Sequence, residues 1–352
     1  MQASRPPFRA DHVGSLLRPP ELKKARDDFK DRRISSEDLR RIEDACIRKA
    51  VAMQEAAGMQ AVTDGEFRRA FWHVDFLTGF EGIVATQGQY ALKFHGEGGA
   101  ESETRSMMVV KGRVRRSRPI MVEHFEFLKK TTTRTAKLCI PDPDIEEFWS
   151  DIARACREEI RDLAAAGCSY LQIDDVSFAV LCDEGVRAQV RRDGEDPAKL
   201  PSKYASVINS FLKNRPDGMR VTMHTCRGNH ASMWMASGGY DAVAESVFNE
   251  AAVDGFFLEY DSERAGGFEP LRFVPKGKKV VLGLISTKKP QLEDKNVLKR
   301  KIEAAARHVP LEDLCVSPQC GFASSETGNR VTEDGQRRKL ELVVEVAREV
   351  WG

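Results

Sequence analysis

Short apolar runs that end on polar residues, alternating with long amphipathic stretches, constrain this chain more than any other feature. The runs are HVGSLL (12–17), AVTDGE (61–66), AKLCIP (136–141), SYLQIDD (169–175), MRVTMHTC (219–226), GFFLEYD (255–261), KVVLGLIS (279–286) and DLCVSPQC (313–320). Each has the length and residue types of a buried strand. Between them lie helical patterns. One runs through SSEDLRRIEDACIRKAVAMQEAAG, with Ser35 or Ser36 as N-cap and Gly58 as C-cap. Another runs from Ile145 to Ala166 and stops at Gly167, and two more cover 291–307 and 334–350. Strands that alternate with helices imply parallel pairing through crossover connections. Eight such units predict an α/β fold, a closed (β/α)8 TIM barrel, as a single domain over 1–352. An open doubly wound sheet would show a Gly-rich phosphate loop after its first strand, and the sequence has none.

The rhythm breaks between about 82 and 135. Gly-rich HGEGGA, basic KGRVRRSR and the short helical EHFEFLKK read as a hairpin-like insertion after the second strand. The basic run is expected to be a solvated face, with contact to an anionic substrate tail as the alternative.

Composition narrows the function classes. A net charge of +1 gives no field to attract nucleic acid or an anionic membrane. No apolar run approaches the roughly 20 residues of a membrane span. The segment MQASRPPFRADHVG has no secretory apolar core. Eight cysteines without such a signal suggest a cytoplasmic protein with free thiols. Cys46, Cys139, Cys156, Cys168, Cys182 and Cys315 fall inside strand or helix patterns and read as core residues.

The remaining two thiols fall at strand ends. His224-x-Cys226 closes MRVTMHTC, and Cys320 closes DLCVSPQC. Thiolate sulfur and imidazole nitrogen are the donors that Zn²⁺ prefers. Other polar residues share the position: Ser15, Asp64 and Glu66, Asp174 and Asp175, Glu259, and Ser286. In a barrel all these ends converge on one mouth, where catalytic residues gather. Each has a plainer reading: Asp64 and Asp174 could cap the following helices, and Glu259 could pair with Arg264.

With these blocks in view, the chain resembles the cobalamin-independent methionine synthase family, in particular its catalytic C-terminal barrel and single-barrel relatives. HVGSLLRP, TDGEFRR, LQIDD, MHTCRGN, FFLEYDSERAG and SPQCGF carry the resemblance, which spans nearly the whole chain. It implies a zinc-dependent S-methyltransferase with Zn²⁺ held by His224, Cys226, Glu259 and Cys320. It implies homocysteine as the thiol acceptor, giving methionine, and a methyltetrahydrofolate or a methylated corrinoid carrier as donor. It also implies that Ser15 and Glu66 hold the amino-acid end of homocysteine and that Asp174 pairs with its ammonium, Asp174 and Glu66 being the catalytic acids. Asp64 and Asp175 would then be outer or substrate contacts.

Two departures from the family concern the donor. The chain lacks the extra N-terminal barrel that helps accommodate a folate polyglutamate tail. The family's proposed proton-donor histidine, after the seventh strand, is replaced by GLISTKK, with Ser286 or Thr287 near that place. A zinc alkyltransferase resembling epoxyalkane:coenzyme M transferase is an alternative, but a sulfonate would call for cations where Glu66 and Asp174 stand. A non-catalytic zinc-binding barrel is the remaining alternative.

Overall fold

The computed structural model describes residues 5–141 and 149–352. Seven strands form one parallel sheet in chain order: β1 (Ala61–Val62), β4 (Thr135–Pro141), β5 (Tyr170–Asp175), β6 (Arg220–Thr225), β7 (Gly255–Glu259), β8 (Lys279–Ile285) and β9 (Leu314–Pro318). β2 (Glu81–His95) and β3 (Glu101–Arg115) form a separate antiparallel hairpin. That hairpin and the helix Val122–Thr131 are the expected insertion. The start of the expected helix at Ile145 lies outside the described residues, and the helix is seen over Trp149–Ala165.

The eighth slot is not filled by a strand. Residues 10–17 run extended between β9 and β1. Asp11 N–H donates to Val316 O at 3.1 Å on one side, and Leu16 N–H donates to Gly65 O at 3.0 Å on the other. No ladder forms because side chains take this segment's carbonyls. Lys137 Nζ bonds His12 O at 2.6 Å, Gln172 Nε2 bonds Val13 O at 2.7 Å, and Thr63 Oγ1 bonds Gly14 O at 2.6 Å. Backbone groups buried away from water must find partners, and here side chains substitute for a neighbouring strand. The barrel therefore closes through side chains at this seam. A fully buried ion pair of Lys137 with Asp11 at 3.1 Å, and the Tyr170 hydroxyl on Asp11 at 2.8 Å, anchor the same segment.

The second strand is also shorter than expected. It stops at Val62 because Asp64-Gly65-Glu66 turns sharply, with φ of +67° at Gly65 and +61° at Glu66. The other strands are buried on both faces, as a sheet covered by helices requires, although their inner faces carry polar residues such as Gln172 and His224. The covering helices have local reasons to form. Ser35 caps Ser36–Ala56 in a capping box with Asp38, and Gly58 follows in a left-handed conformation. Asp294 caps Lys295–Ala305, and Thr332 caps Glu333–Trp351. No described helix is long and apolar enough to cross a membrane.

The basic run of the insertion is mostly a solvated face, as expected: Lys111, Arg113, Arg115 and Arg118 are exposed. Arg116 reaches Glu159 at 2.7 Å and Asp162 at 2.8 Å, and Arg113 lies 3.8 Å from Asp151. The far end of the hairpin is strapped across the barrel mouth. His95 and Trp234 exchange backbone hydrogen bonds at 2.6 and 2.9 Å, and Glu97 pairs with Lys289 at 2.6 Å.

Candidate active site

Register places the first two members of the site. Asp174 in β5 stands beside His224 in β6, and His224 Nδ1 lies 3.3 Å from Asp174 Oδ1. Side chains alternate along a strand, so Cys226 returns to the side of His224. Two residues beyond β9, Cys320 brings its Sγ to 3.8 Å from that of Cys226. Ligand atoms of His224, Cys226 and Cys320 all lie within 4.8 Å of one another, with every side chain buried.

Three titratable groups this close and dry must share protons. The hydrogen bond with Cys226 and the neighbouring His224 hold the Cys320 thiol well below its usual range. The same bond, and burial, push Cys226 well above it. Burial opposes charge on His224, but Cys320 and Asp174 prevail and hold its pKa up at about 10. The trio thus favours negative charge on Cys320 over Cys226, and a divalent cation can take the place of the protons these groups share.

The donor set fits zinc. Two sulfurs bonded to a tetrahedral Zn²⁺ at about 2.3 Å stand about 3.8 Å apart, which is the separation seen here. A carboxylate on the far imidazole nitrogen is the usual partner of a metal-bound histidine, and Asp174 occupies that place.

Glu259 ends β7 level with Cys226, but its carboxylate is engaged elsewhere. It accepts from the Arg227 backbone N–H at 2.9 Å and faces Arg264 at 3.3 Å and Lys288 at 3.6 Å. These cations hold its pKa below the ordinary value against the cost of burial. It adjoins the trio without sharing its tight cluster.

Next to the thiols lies a second cluster: Glu66, Asp174 and Cys139, with ligand atoms again within 4.8 Å of one another. Gln172 Nε2 holds Asp174 at 2.6 Å. Glu66 Oε1 faces Arg69 at 3.3 Å, while Glu66 Oε2 is buried with no hydrogen-bond partner. Burial pushes the Glu66 carboxyl up to about 7, with Arg69 pulling it back. An unsatisfied buried carboxylate oxygen beside a second acid is a ready acceptor for an ammonium group. Ser15 completes this side, and its Oγ accepts from Ala323 N–H at 3.4 Å. It can sit there only because residue 321 is glycine, since a Cβ at Gly321 would lie 1.9 Å from Ser15 Oγ.

Both clusters open into one cavity of about 250 Å³. Ser15, Glu66, Asp174, Asp175 and the three trio residues line it from the barrel side, and the hairpin contributes Phe94, Thr104 and Met108 from above. Asp64 and Asp175 have structural work as well: Asp64 Oδ1 accepts from Glu66 N–H at 2.9 Å, and Asp175 accepts from Ser177 and Phe178 N–H at 3.2 and 3.1 Å. Asp175 is thus the acid that caps a following helix, a part the sequence suggests for Asp174. Ser286 lies away from the cavity lining, with its N–H on Glu293 at 2.9 Å.

Sequence reasoning missed four residues. Cys139, expected as a core filler, stands against Glu66 and Asp174. Arg69 pairs with Glu66, Lys288 with Glu259, and Asn229 bonds Gly321 O at 2.8 Å. Arg69 lies in the TDGEFRR block and Asn229 in MHTCRGN, so both were within reach. Nothing in the sequence distinguishes Cys139 or Lys288.

Polar side chains gathered at the strand ends of a TIM-barrel-like sheet mark an enzyme of that architecture. Residues 8–349 match the family model described as cobalamin-independent synthase, catalytic domain, and the chain belongs to that family, whose chemistry is methyl transfer. It is 43% identical to the uncharacterized protein YxjH of Bacillus subtilis (strain 168), over 98% of this chain and 95% of that one. It is 23% identical to the 5-methyltetrahydropteroyltriglutamate–homocysteine methyltransferase of Thermotoga sp. (strain RQ2), over 90% of this chain but 42% of that longer one. Among solved structures, a Listeria monocytogenes protein assigned to the vitamin-B12-independent methionine synthases superposes with TM-score 0.77 at 35% identity, covering 98% of both chains. A B12-independent methionine synthase from Shewanella sp. W3-18-1, in complex with selenomethionine, shares the fold with TM-score 0.73 at 20% identity, covering 97% of both chains.

Proposed function

We propose that this protein is a zinc-dependent methyltransferase that moves a methyl group to the thiol of homocysteine, giving methionine. The observation that carries the reading is that a zinc-type donor trio and a pair of ammonium-accepting acids open into the same cavity.

His224, Cys226 and Cys320 would hold the metal, with Glu259 as the adjoining fourth ligand. Zinc in such a set lowers the pKa of an incoming thiol so that thiolate is available near neutral pH. The chain's own residues do the rest. Asp174 orients the His224 imidazole through Nδ1 and presents charge to the substrate ammonium. Glu66 offers its unpaired Oε2 to that ammonium, and Ser15 Oγ holds the amino-acid end beside it. The hairpin residues Phe94 and Met108 cover the cavity and keep water from the reacting thiolate. Asp64 and Asp175 hold the Glu66 turn and the 177–180 helix in place around the substrate.

The test is metal content and thiol binding. The purified protein is expected to hold one zinc per chain and to bind homocysteine at the metal, seen as a shift in the absorption of the cobalt-substituted form. Cys226→Ser and Cys320→Ser should lose the metal. Full retention of zinc by both variants would remove the assignment.

A further inference from the structure

Resting on the zinc reading, we infer that Thr287, Asn229 and Gln319 are positioning residues: together they form a buried polar clasp that sets the Cys320 loop in its metal-ready place ahead of the metal.

Cys320 needs such a device. It stands two residues past β9, and the next helix begins only at Glu333. Cys226 stands one residue past β6. Among the described residues no strand ladder includes either cysteine. The spacing of the two sulfurs, 3.8 Å, is therefore set by something other than the sheet.

The clasp can be traced bond by bond. Gly321 O can only accept, so it is the amide nitrogen of Asn229 that meets it, at 2.8 Å. The same nitrogen donates to Thr287 Oγ1 at 3.3 Å. Thr287 passes its one hydroxyl proton to Gln319 Oε1 at 2.9 Å, with Gly321 O at 3.2 Å as the other acceptor in reach. The Thr287 backbone N–H donates to the same Gln319 oxygen at 2.6 Å, which fixes the orientation of that amide too. Gln319 N–H donates to Ile285 O at 2.8 Å, and the Gln319 carbonyl faces His224 Nε2 at 3.3 Å. The bonds thus start three residues after Cys226 and pass through the loop after β8. They take hold of both neighbours of Cys320 and end on His224.

Packing supports the same reading. A Cβ at Gly283 would lie 2.7 Å from Gln319 Cα, so β8 carries the Gln319 backbone directly. Thr287 is fully buried and Gln319 is 1% exposed. A polar network this dry holds one arrangement, because a half-satisfied alternative is costly. Neither Thr287 nor Gln319 lines the cavity, so both act on the metal only through its ligands. Ligands already ordered spare the binding step the cost of ordering a loop. Loss of a partner behind a metal ligand commonly weakens metal binding by about 10–100-fold.

The experiment uses the full chain. Zinc affinity is measured by competition with a chromogenic chelator, and the cobalt-substituted protein reports the geometry of the thiolate set through its absorption bands. Thr287→Val keeps the shape but not the hydroxyl, and should weaken zinc by roughly tenfold and shift the cobalt bands. Thr287→Ser should restore both. Asn229→Asp sets a carboxylate oxygen against Gly321 O and should weaken zinc by roughly 100-fold. Ser317→Ala removes a buried hydroxyl outside the clasp, bonded to Pro318 O at 2.9 Å, and should leave both readouts unchanged. Circular dichroism shows which variants fold; if Thr287→Val or Asn229→Asp does not, the other decides. Wild-type zinc affinity in either folded variant overturns this inference and leaves the zinc reading standing. An equal loss in Ser317→Ala, or no recovery in Thr287→Ser, does the same, because general loosening would then govern the metal. A wild-type chain that binds no zinc overturns the zinc reading and this inference with it.

Discussion

Glu66→Gln should make the ligand-free protein more stable at pH 8 while weakening substrate binding. The Glu66 carboxyl is buried and rises from its ordinary 4.5 to about 7 even with Arg69 beside it. That gap corresponds to roughly 3 kcal/mol in favour of the neutral acid in the folded protein. The sign follows from linkage. The folded state holds this proton more tightly than the unfolded chain, so the stabilisation is fully present below pH 4.5 and is lost as the pH rises through 7. At pH 8 the wild type carries an ionised, half-satisfied carboxylate, and glutamine, which resembles the neutral acid, removes that penalty. For a chain of 352 residues, 3 kcal/mol corresponds to about 4 °C in Tm. Thermal unfolding of both proteins from pH 5 to 8 should show a gap that opens with pH. Homocysteine affinity should fall, because the amide cannot pair with the ammonium. A variant equally or less stable at pH 8, or a gap independent of pH, would refute the reasoning.

Gly321→Ala places a methyl 1.9 Å from Ser15 Oγ, so Ser15 must move; about 1–3 kcal/mol of stability should go with it, and homocysteine KM should rise while zinc content is unchanged. Lys288→Met leaves Glu259 with Arg264 and a backbone N–H but without its second cation. Urea denaturation should show a loss of about 3 kcal/mol, the scale of breaking a buried pair; an unchanged midpoint would mean that Arg264 alone satisfies the carboxylate.

The barrel was legible because its strands are buried on both faces and end on polar residues, a pattern that survives in one dimension. His224 and Cys226 were legible for the same reason: a spacing of two on a strand puts them on one side. Residues 12–17 look like a strand by composition, yet they lie in the eighth slot without a ladder. Lys137, Gln172 and Thr63 take their carbonyls, and no local pattern announces partners 49 to 159 residues away. Cys139 is the buried thiol its strand pattern announces, but its nearness to Glu66 was not legible, because it depends on the left-handed turn at 65–66. Glu259 is mixed: its pairing with Arg264, five residues on, was readable from the sequence, whereas Lys288, from the loop after β8, was not.

The side-chain seam also sets an order of events during synthesis. Residues 10–17 emerge before every strand of the sheet, but their backbone partner on one side, Val316, and the last thiol, Cys320, emerge only with the final strand and the loop after it. Chains are made from the N-terminus at about 5–20 residues per second, so this segment waits on the order of tens of seconds with its apolar side chains uncovered. The metal-type trio, which spans 224 to 320, cannot assemble before the same moment. Barrel closure and completion of the reactive centre are therefore a single late event, and a chain truncated before residue 316 lacks both.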